Sequence, residues 1–238
     1  MALTKVIGAG VGSLTEDLAL SDSDKIKLGA GSDLQLYHDG THSYIDEVGT
    51  GSLYVRASII RWTNADGSET LGGVDADGGW FLKANNSNAL VIDTNGHVTK
   101  PLQPAFQVNP ASNQTNLANG DTLVFGQEKF DLNSDFSSNT FTAPVTGKYQ
   151  LQITARIDQI DRDANWVRIE MVTSNREYSA NIIDPDAFDK DPDYWSINFS
   201  VLADMDANDT VHLAFGQSGG ANTADFDTQA HFSGYLVC

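Results

Sequence analysis

Between Asn139 and Arg156 the chain alternates, turns a corner and alternates again, and few folds accommodate that order. Asn139-Thr-Phe-Thr has the period of a half-buried strand, Pro144 and Gly147 force a turn, and alternation resumes at Tyr149, Leu151, Ile153 and Ala155. Proline has no amide to donate and glycine tolerates positive φ, so the corner belongs at the end of a sheet. Trp166-Val-Arg-Ile-Glu-Met171 and Trp195-Ser-Ile-Asn-Phe-Ser-Val201 alternate in the same way, which makes both tryptophans core or rim residues. No helical period is sustained; Thr15–Leu20 is the only candidate and is too short to stand alone. The fold class is therefore all-β.

Upstream, the strands shorten. Ile26–Leu28, Leu34–Tyr37, Ser43–Ile45, Ser52–Val55, Ile59–Trp62, Trp80–Leu82 and Ala89–Ile92 are separated by turn chemistry such as His-Asp-Gly and Asp-Thr-Asn-Gly. Strands this short cannot build a useful core within one chain. Three chains burying these faces against one another, as a β-prism or interleaved stem, would solve the problem, with Leu34, Leu36, Leu90 and Ile92 between chains. Lys100-Pro-Leu-Gln-Pro104 reads as a stiff spacer. The expected organisation is an N-terminal attachment segment at 1–24, a β-rich stem at 25–100, a proline linker at 101–104 and a head at 105–238.

The spacing of Phe141, Gly147 and Tyr149, with Ala105-Phe-Gln-Val108 before it and Phe232-Ser-Gly-Tyr-Leu236 after it, resembles the complement C1q-like family. The resemblance implies a jelly-roll head related to tumour-necrosis-factor domains; the family's upstream aromatic is displaced, Phe136 being the nearest. A second stretch, Leu28 to Ile45 with its continuation to Arg56, is similar to a segment recurring in phage tail fibre proteins, as is Asn88–His97. This implies a homotrimer made in the host cytoplasm and carried on the virion tail. Other tail or adaptor proteins would hold its N-terminus, and its head would meet a host surface glycan or outer-membrane protein.

The net charge of −18, from 32 acids and 14 bases, makes nucleic acid a poor partner. No apolar run approaches the length of a membrane span, and Met-Ala-Leu-Thr-Lys does not open a secretory signal. The single cysteine, Cys238, excludes an internal disulfide framework and fits a reducing cytoplasm; nothing near it in sequence would activate its thiol. Gly216-Gln-Ser-Gly-Gly220, followed by Asp225 and His231, matches a nucleophile elbow, but the helix an elbow needs is missing. The expected reading is a flexible loop and no catalytic residue. His38 and His42 read as solvated turn histidines, although three copies could ring a metal.

Alternating strand directions, counted back from a last strand at 228–238 running down, gather the loops 158–165, 184–194 and 216–227 at the end remote from the stem. These loops carry Asp158, Asp161 and Asp163, then Asp184, Asp186, Asp189, Asp191 and Asp193, then Asp225 and Asp227, against only Arg162 and Lys190. Such crowding invites a divalent cation, and calcium tolerates irregular oxygen ligands. Asp184, Asp186, Asp191 and Asp193 are the expected metal ligands. Asp161, Asp163, Phe188, Tyr194, Asn222 and Phe226 are the expected receptor contacts.

Overall fold

A computed structural model describes residues 19–238. The segment expected to attach at 1–24 and the short helical candidate at 15–20 fall largely outside the described residues. The chain forms two compact units that part between Ala57 and Ser58, so residues 58–100 go with the head rather than with the first sheet. The first unit contains an antiparallel meander of β1 (Lys25–Leu28), β2 (Leu34–His38) and β3 (Ser43–Glu47). Ser52–Val55, expected as a strand, is irregular.

The second unit opens with a five-stranded meander: β4 (Ile60–Thr63), β5 (Thr70–Val74), β6 (Trp80–Ala84), β7 (Ser87–Ile92) and β8 (Val98–Thr99). Sequence alternation does not reveal β5, because two of its five residues are glycines. The sheet needs them. A Cβ on Gly73 would lie 2.3 Å from the Ile60 carbonyl oxygen, and one on Gly72 would lie 3.0 Å from Leu82 Cδ2. The linker is no free spacer: the Gln103 amide donates to the Leu236 carbonyl at 2.7 Å, and the Leu236 N–H donates to the Pro104 carbonyl at 3.0 Å.

The head is a sandwich of two six-stranded sheets. The first contains β9 (Ala105–Asn109), β10 (Gln127–Asp131), β13 (Gly147–Asp158), β17 (Tyr194–Met205), β19 (Asp225–Phe226) and β20 (His231–Leu236). The second contains β11 (Phe136–Ser137), β12 (Thr140–Thr142), β14 (Ala164–Thr173), β15 (Glu177–Tyr178), β16 (Ile182–Ile183) and β18 (Thr210–Gly219). Among the described residues the only helix is the short 3-10 turn Pro185–Ala187. Alternation puts Tyr149, Leu151, Ile153, Ala155 and Ile157 inside from β13, Val167, Ile169 and Met171 from β14, and Val211, Leu213 and Phe215 from β18.

Phe141, Gly147 and Tyr149 form one device. Phe141 packs 4.7 Å from the Phe106 ring and 5.5 Å from that of Tyr149, and the Tyr149 hydroxyl donates to the Val145 carbonyl at 2.8 Å, closing the turn. Gly147 serves close approach rather than a left-handed turn, since a Cβ there would sit 2.6 Å from the Cys238 carbonyl oxygen. Phe136 pairs with Phe141 across β11–β12 and stacks 5.2 Å from Phe106, so the displaced aromatic still reaches the core.

Strand directions agree with the count made from sequence. β9 leaves the base beside Tyr235 of β20, β13 runs up, β14 down, β17 down beside β13, and β18 up beside β14. The stretch 178–183 is not one strand: β15 and β16 pair separately with β14, and between them the Asn181 side chain substitutes for the ladder, accepting from the Ile169 N–H at 3.0 Å and donating to its carbonyl at 2.8 Å. Residues 216–219, expected in a loop, continue β18, with Ser218 opposite Trp166.

Candidate functional site

At the end of the head opposite Pro104 and Cys238, the loops 159–163, 184–193 and 220–224 are knitted together. The Gln159 and Ile160 amides donate to the carbonyls of Asp193 and Pro192 at 3.1 and 3.2 Å, and the Arg162 amide donates to Asp191 Oδ1 at 3.0 Å. Thr223 Oγ1 donates to the Gln159 carbonyl at 2.8 Å. A fourth segment, not foreseen from sequence, closes the ring: the Gln114 and Leu117 amides donate to the carbonyls of Phe226 and Ala224, and the Asn116 amide donates to Asp225 Oδ1 at 2.9 Å.

Asp161 is the clasp. Its carboxylate accepts the amides of Ala221 and Asp163, and these bonds hold its pKa below the usual carboxylate range. A depressed acid contributes stability above its unfolded pKa and loses that contribution as pH falls through the folded value. Asp161→Asn is expected to cost about 1 kcal/mol, the modest figure suiting a solvent-exposed loop. It should also flatten the head's acid-unfolding profile below the ordinary carboxylate range, read by tryptophan fluorescence.

Beside the clasp lies a cleft of about 600 Å³ lined by Arg156, Asp158, Gln159, Tyr194 and Thr223 and by the stretch Asp191-Pro192-Asp193. Asp158 and Tyr194 are direct neighbours across β13–β17. Arg156 grips Asp158 with two bonds, Nε–Oδ1 at 2.7 Å and Nη2–Oδ2 at 3.0 Å, and its guanidinium lies 5.3 Å from the Tyr194 ring centre. The bond to Asp158 raises the Arg156 pKa, so this cation is fixed. Tyr194 is 68% exposed, leaving an aromatic platform among three carboxylates, a primary amide and a hydroxyl group. That combination suits a ligand with both an apolar face and hydroxyl groups. Arg156 was not singled out in sequence; its signal is a lone outward-facing cation at the upper end of β13.

The other expected contacts divide. Asp163 and Asn222 are exposed at this end of the head. Phe188 is half-buried, packed against the core and 5.3 Å from the Trp195 ring. Phe226 is a correction: it is fully buried, 5.6 Å from the Phe125 ring, and no receptor can touch it. Its aspartate neighbours, Asp225 and Asp227, face outward and disguise an inward position. Trp166 and Trp195 are rim residues, Trp166 lying under the Arg168 guanidinium at 4.6 Å.

The four expected metal ligands are not assembled into one site. Asp186 lies beside Asp184 and, through hydrogen bonding and charge repulsion, pushes the Asp184 pKa up. Asp191, however, accepts from Arg162, and Asp193 pairs with Lys190 at 3.1 Å. Among the described residues no three acidic, histidine or cysteine side chains are gathered to hold a metal ion. His38 bonds Ser43 at 3.1 Å and His42 edges onto Tyr44, both at a hairpin end. Ser218 lies within a strand and so lacks the strand–turn–helix setting of an elbow. Cys238 is an exposed free thiol. No helix among the described residues is long and apolar enough to cross a membrane.

This sandwich, with its entry at Pro104 and its exit at Cys238 at one pole and knitted loops at the other, is that of a jelly-roll head domain. Residues 105–237 match the family model described as C1q domain, more than half of the chain, and the chain belongs to that family. Among solved structures it is similar to the globular domain of zebrafish complement 1qA protein, at 17% identity and a TM-score of 0.45, covering 57% of this chain and 98% of that one. No curated protein matches it.

Proposed function

We propose that the chain is the receptor-binding subunit of a phage tail fibre: a homotrimer whose heads touch the host at the loop end and whose N-terminal segment faces the virion. One observation carries this reading. The head's entry at Pro104 and its exit at Cys238 lie at one pole, and the cleft with Tyr194 lies at the other, so a head mounted on a stem presents the cleft outward. The sequence similarity of residues 28–56 and 88–97 to fibre segments supplies the phage context. Heads of this family commonly form homotrimers, and one flank suits a neighbour. Between the β15–β16 edge and β17 a groove of about 750 Å³ is lined by Tyr178, Ile182, Phe199 and Val201, with Ile182 55% exposed.

The ligand class that fits the cleft is a surface glycan or the loop of an outer-membrane protein, and adaptor proteins of the tail would hold the N-terminus. The protein acts by binding and catalyses no reaction. Calcium belongs to the same reading: the neighbouring carboxylates of Asp184 and Asp186 would supply two ligands, with further ones from water or a neighbouring copy. Antibodies raised against the chain are expected to label the tails of assembled particles, and particles whose tails stay unlabelled would end the fibre reading. Host exopolysaccharide incubated with the protein should yield no new reducing ends; their appearance, abolished by Ser218→Ala, would favour an enzyme. An unfolding midpoint identical in calcium and in excess chelator would remove the metal.

A further inference from the structure

We infer that one face of the β4–β8 sheet is the surface on which copies of this chain pack to make the dry core of the stem; the inference rests on the trimeric reading above. The strand register sorts the sheet into two chemically different faces. On one, Ile60, Val74, Trp80, Ile92 and Val98 stand opposite one another in a continuous row, and Trp62, Gly72, Leu82 and Leu90 form the next. On the other, Arg61, Gly73, Phe81, Val91 and Thr99 align, with Arg61 paired to Asp75 and lying 5.0 Å from the Phe81 ring centre. The apolar face is laterally ordered: the Trp62 and Trp80 rings are 6.5 Å apart, and Gly72 leaves room for Trp62 and Leu82.

Nothing among the described residues covers this face. Trp62 is 48% exposed, Trp80 51%, Leu82 52% and Val98 58%, and Gly72 and Gly73 are the only buried residues between 19 and 100. Two indoles and a row of aliphatic side chains form a far larger patch than the isolated apolar residues a soluble surface tolerates.

Three observations make a second copy the occupant. The face carries no charged side chain, so chains of net charge −18 can meet there without burying a charge. The sheet belongs to the same compact unit as the head, through a linker bonded to the head's base. Joining the heads therefore brings the sheets together at an effective concentration of about a millimolar. Finally, the first sheet sorts its side chains in a similar way, with Ile26, Leu28, Leu34, Leu36 and Ile45 on one face, where Glu47 is the edge-strand charge, and Lys25, Lys27, Tyr37 and Asp46 on the other. Copies of the chain match each other by symmetry, each sheet against its own counterpart.

The test is disulfide trapping in the full chain with Cys238 replaced by serine. Leu82→Cys, or Leu90→Cys in a separate chain, is expected to give covalently linked chains on mild oxidation, whereas Thr99→Cys on the opposite face gives none. Light scattering on the same samples separates the two claims. A trimer by mass in which neither apolar-face cysteine links overturns the inference and leaves the trimer standing. A monomer by mass overturns the trimeric reading and the inference with it. Linking that appears only once residues 1–18 are removed would give the face to that segment instead. A second variant guards against a chance link: Trp80→Asp, at a position half-exposed in the single chain, should speed proteolysis between residues 58 and 100 at least tenfold, and an unchanged rate counts against the interface.

Discussion

Phe106→Ala is expected to lower the head's stability by about 3–5 kcal/mol, the range for deleting a fully buried aromatic. Phe106 is 1% exposed, and its ring lies 5.2 Å from Phe136, 4.7 Å from Phe141 and 5.0 Å from Phe232, edge-on to the last. It thus ties β9, the first strand of the head, to β11, β12 and the final strand. Rings on three sides cannot collapse into the space, so most of the cavity should persist. Gly234 probes the same spot from the other side, because a Cβ there would sit 2.8 Å from Phe106 Cε1 and 2.7 Å from Leu151 Cδ2. Gly234→Val should cost about 1–3 kcal/mol by overpacking. The two changes together should cost less than their sum, since the added side chain enters the space the ring leaves. Denaturant unfolding at fixed protein concentration reads all three variants. Strict additivity would mean that the aromatic cluster is not packed as described.

The head was legible because its long strands alternate faithfully and its directions follow from counting. Tyr149, Leu151 and Ile153 could face only one way, and with the corner at Pro144 they placed the loops at opposite poles. What failed did so for local reasons. The glycines of β5 carry no side chain to show a period, yet backbone crowding at Ile60 and Phe81 requires them there. Phe226 and Ser218 were assigned to a loop because Gly, Ser and Asp surround them, whereas the register buries the first and keeps the second within β18. Counted strand directions gather the aspartates of three loops into one set, but amides of distant loops hold Asp161, Asp191 and Asp225, and Arg156 and Lys190 hold Asp158 and Asp193; no spacing rule encodes those partners. The groups that clasp the loops, Asp161 and Asn116, and the Arg156–Asp158 pair became visible only in three dimensions.

Tyr194→Ala is expected to weaken attachment at least tenfold while leaving stability almost unchanged. The ring is 68% exposed and stands on the outer face of β17, so the single chain loses little by its removal. Its contribution would be realised only when a ligand covers it, as for aromatic anchors at interfaces generally. Arg156 holds the cleft floor through Asp158, so Arg156→Ala should weaken binding as well, and the conservative Arg156→Lys should restore little, because an ammonium cannot make the two-pronged bond. The decisive measurement is a titration of labelled full-length protein onto intact cells of a strain that adsorbs the virion, comparing the natural chain, Tyr194→Ala and Ser218→Ala. Saturable binding by the natural chain and Ser218→Ala, with Tyr194→Ala weakened tenfold or more, is the predicted result. Equal binding by all three, or none by the natural chain, would contradict a receptor contact at the loop end of the head.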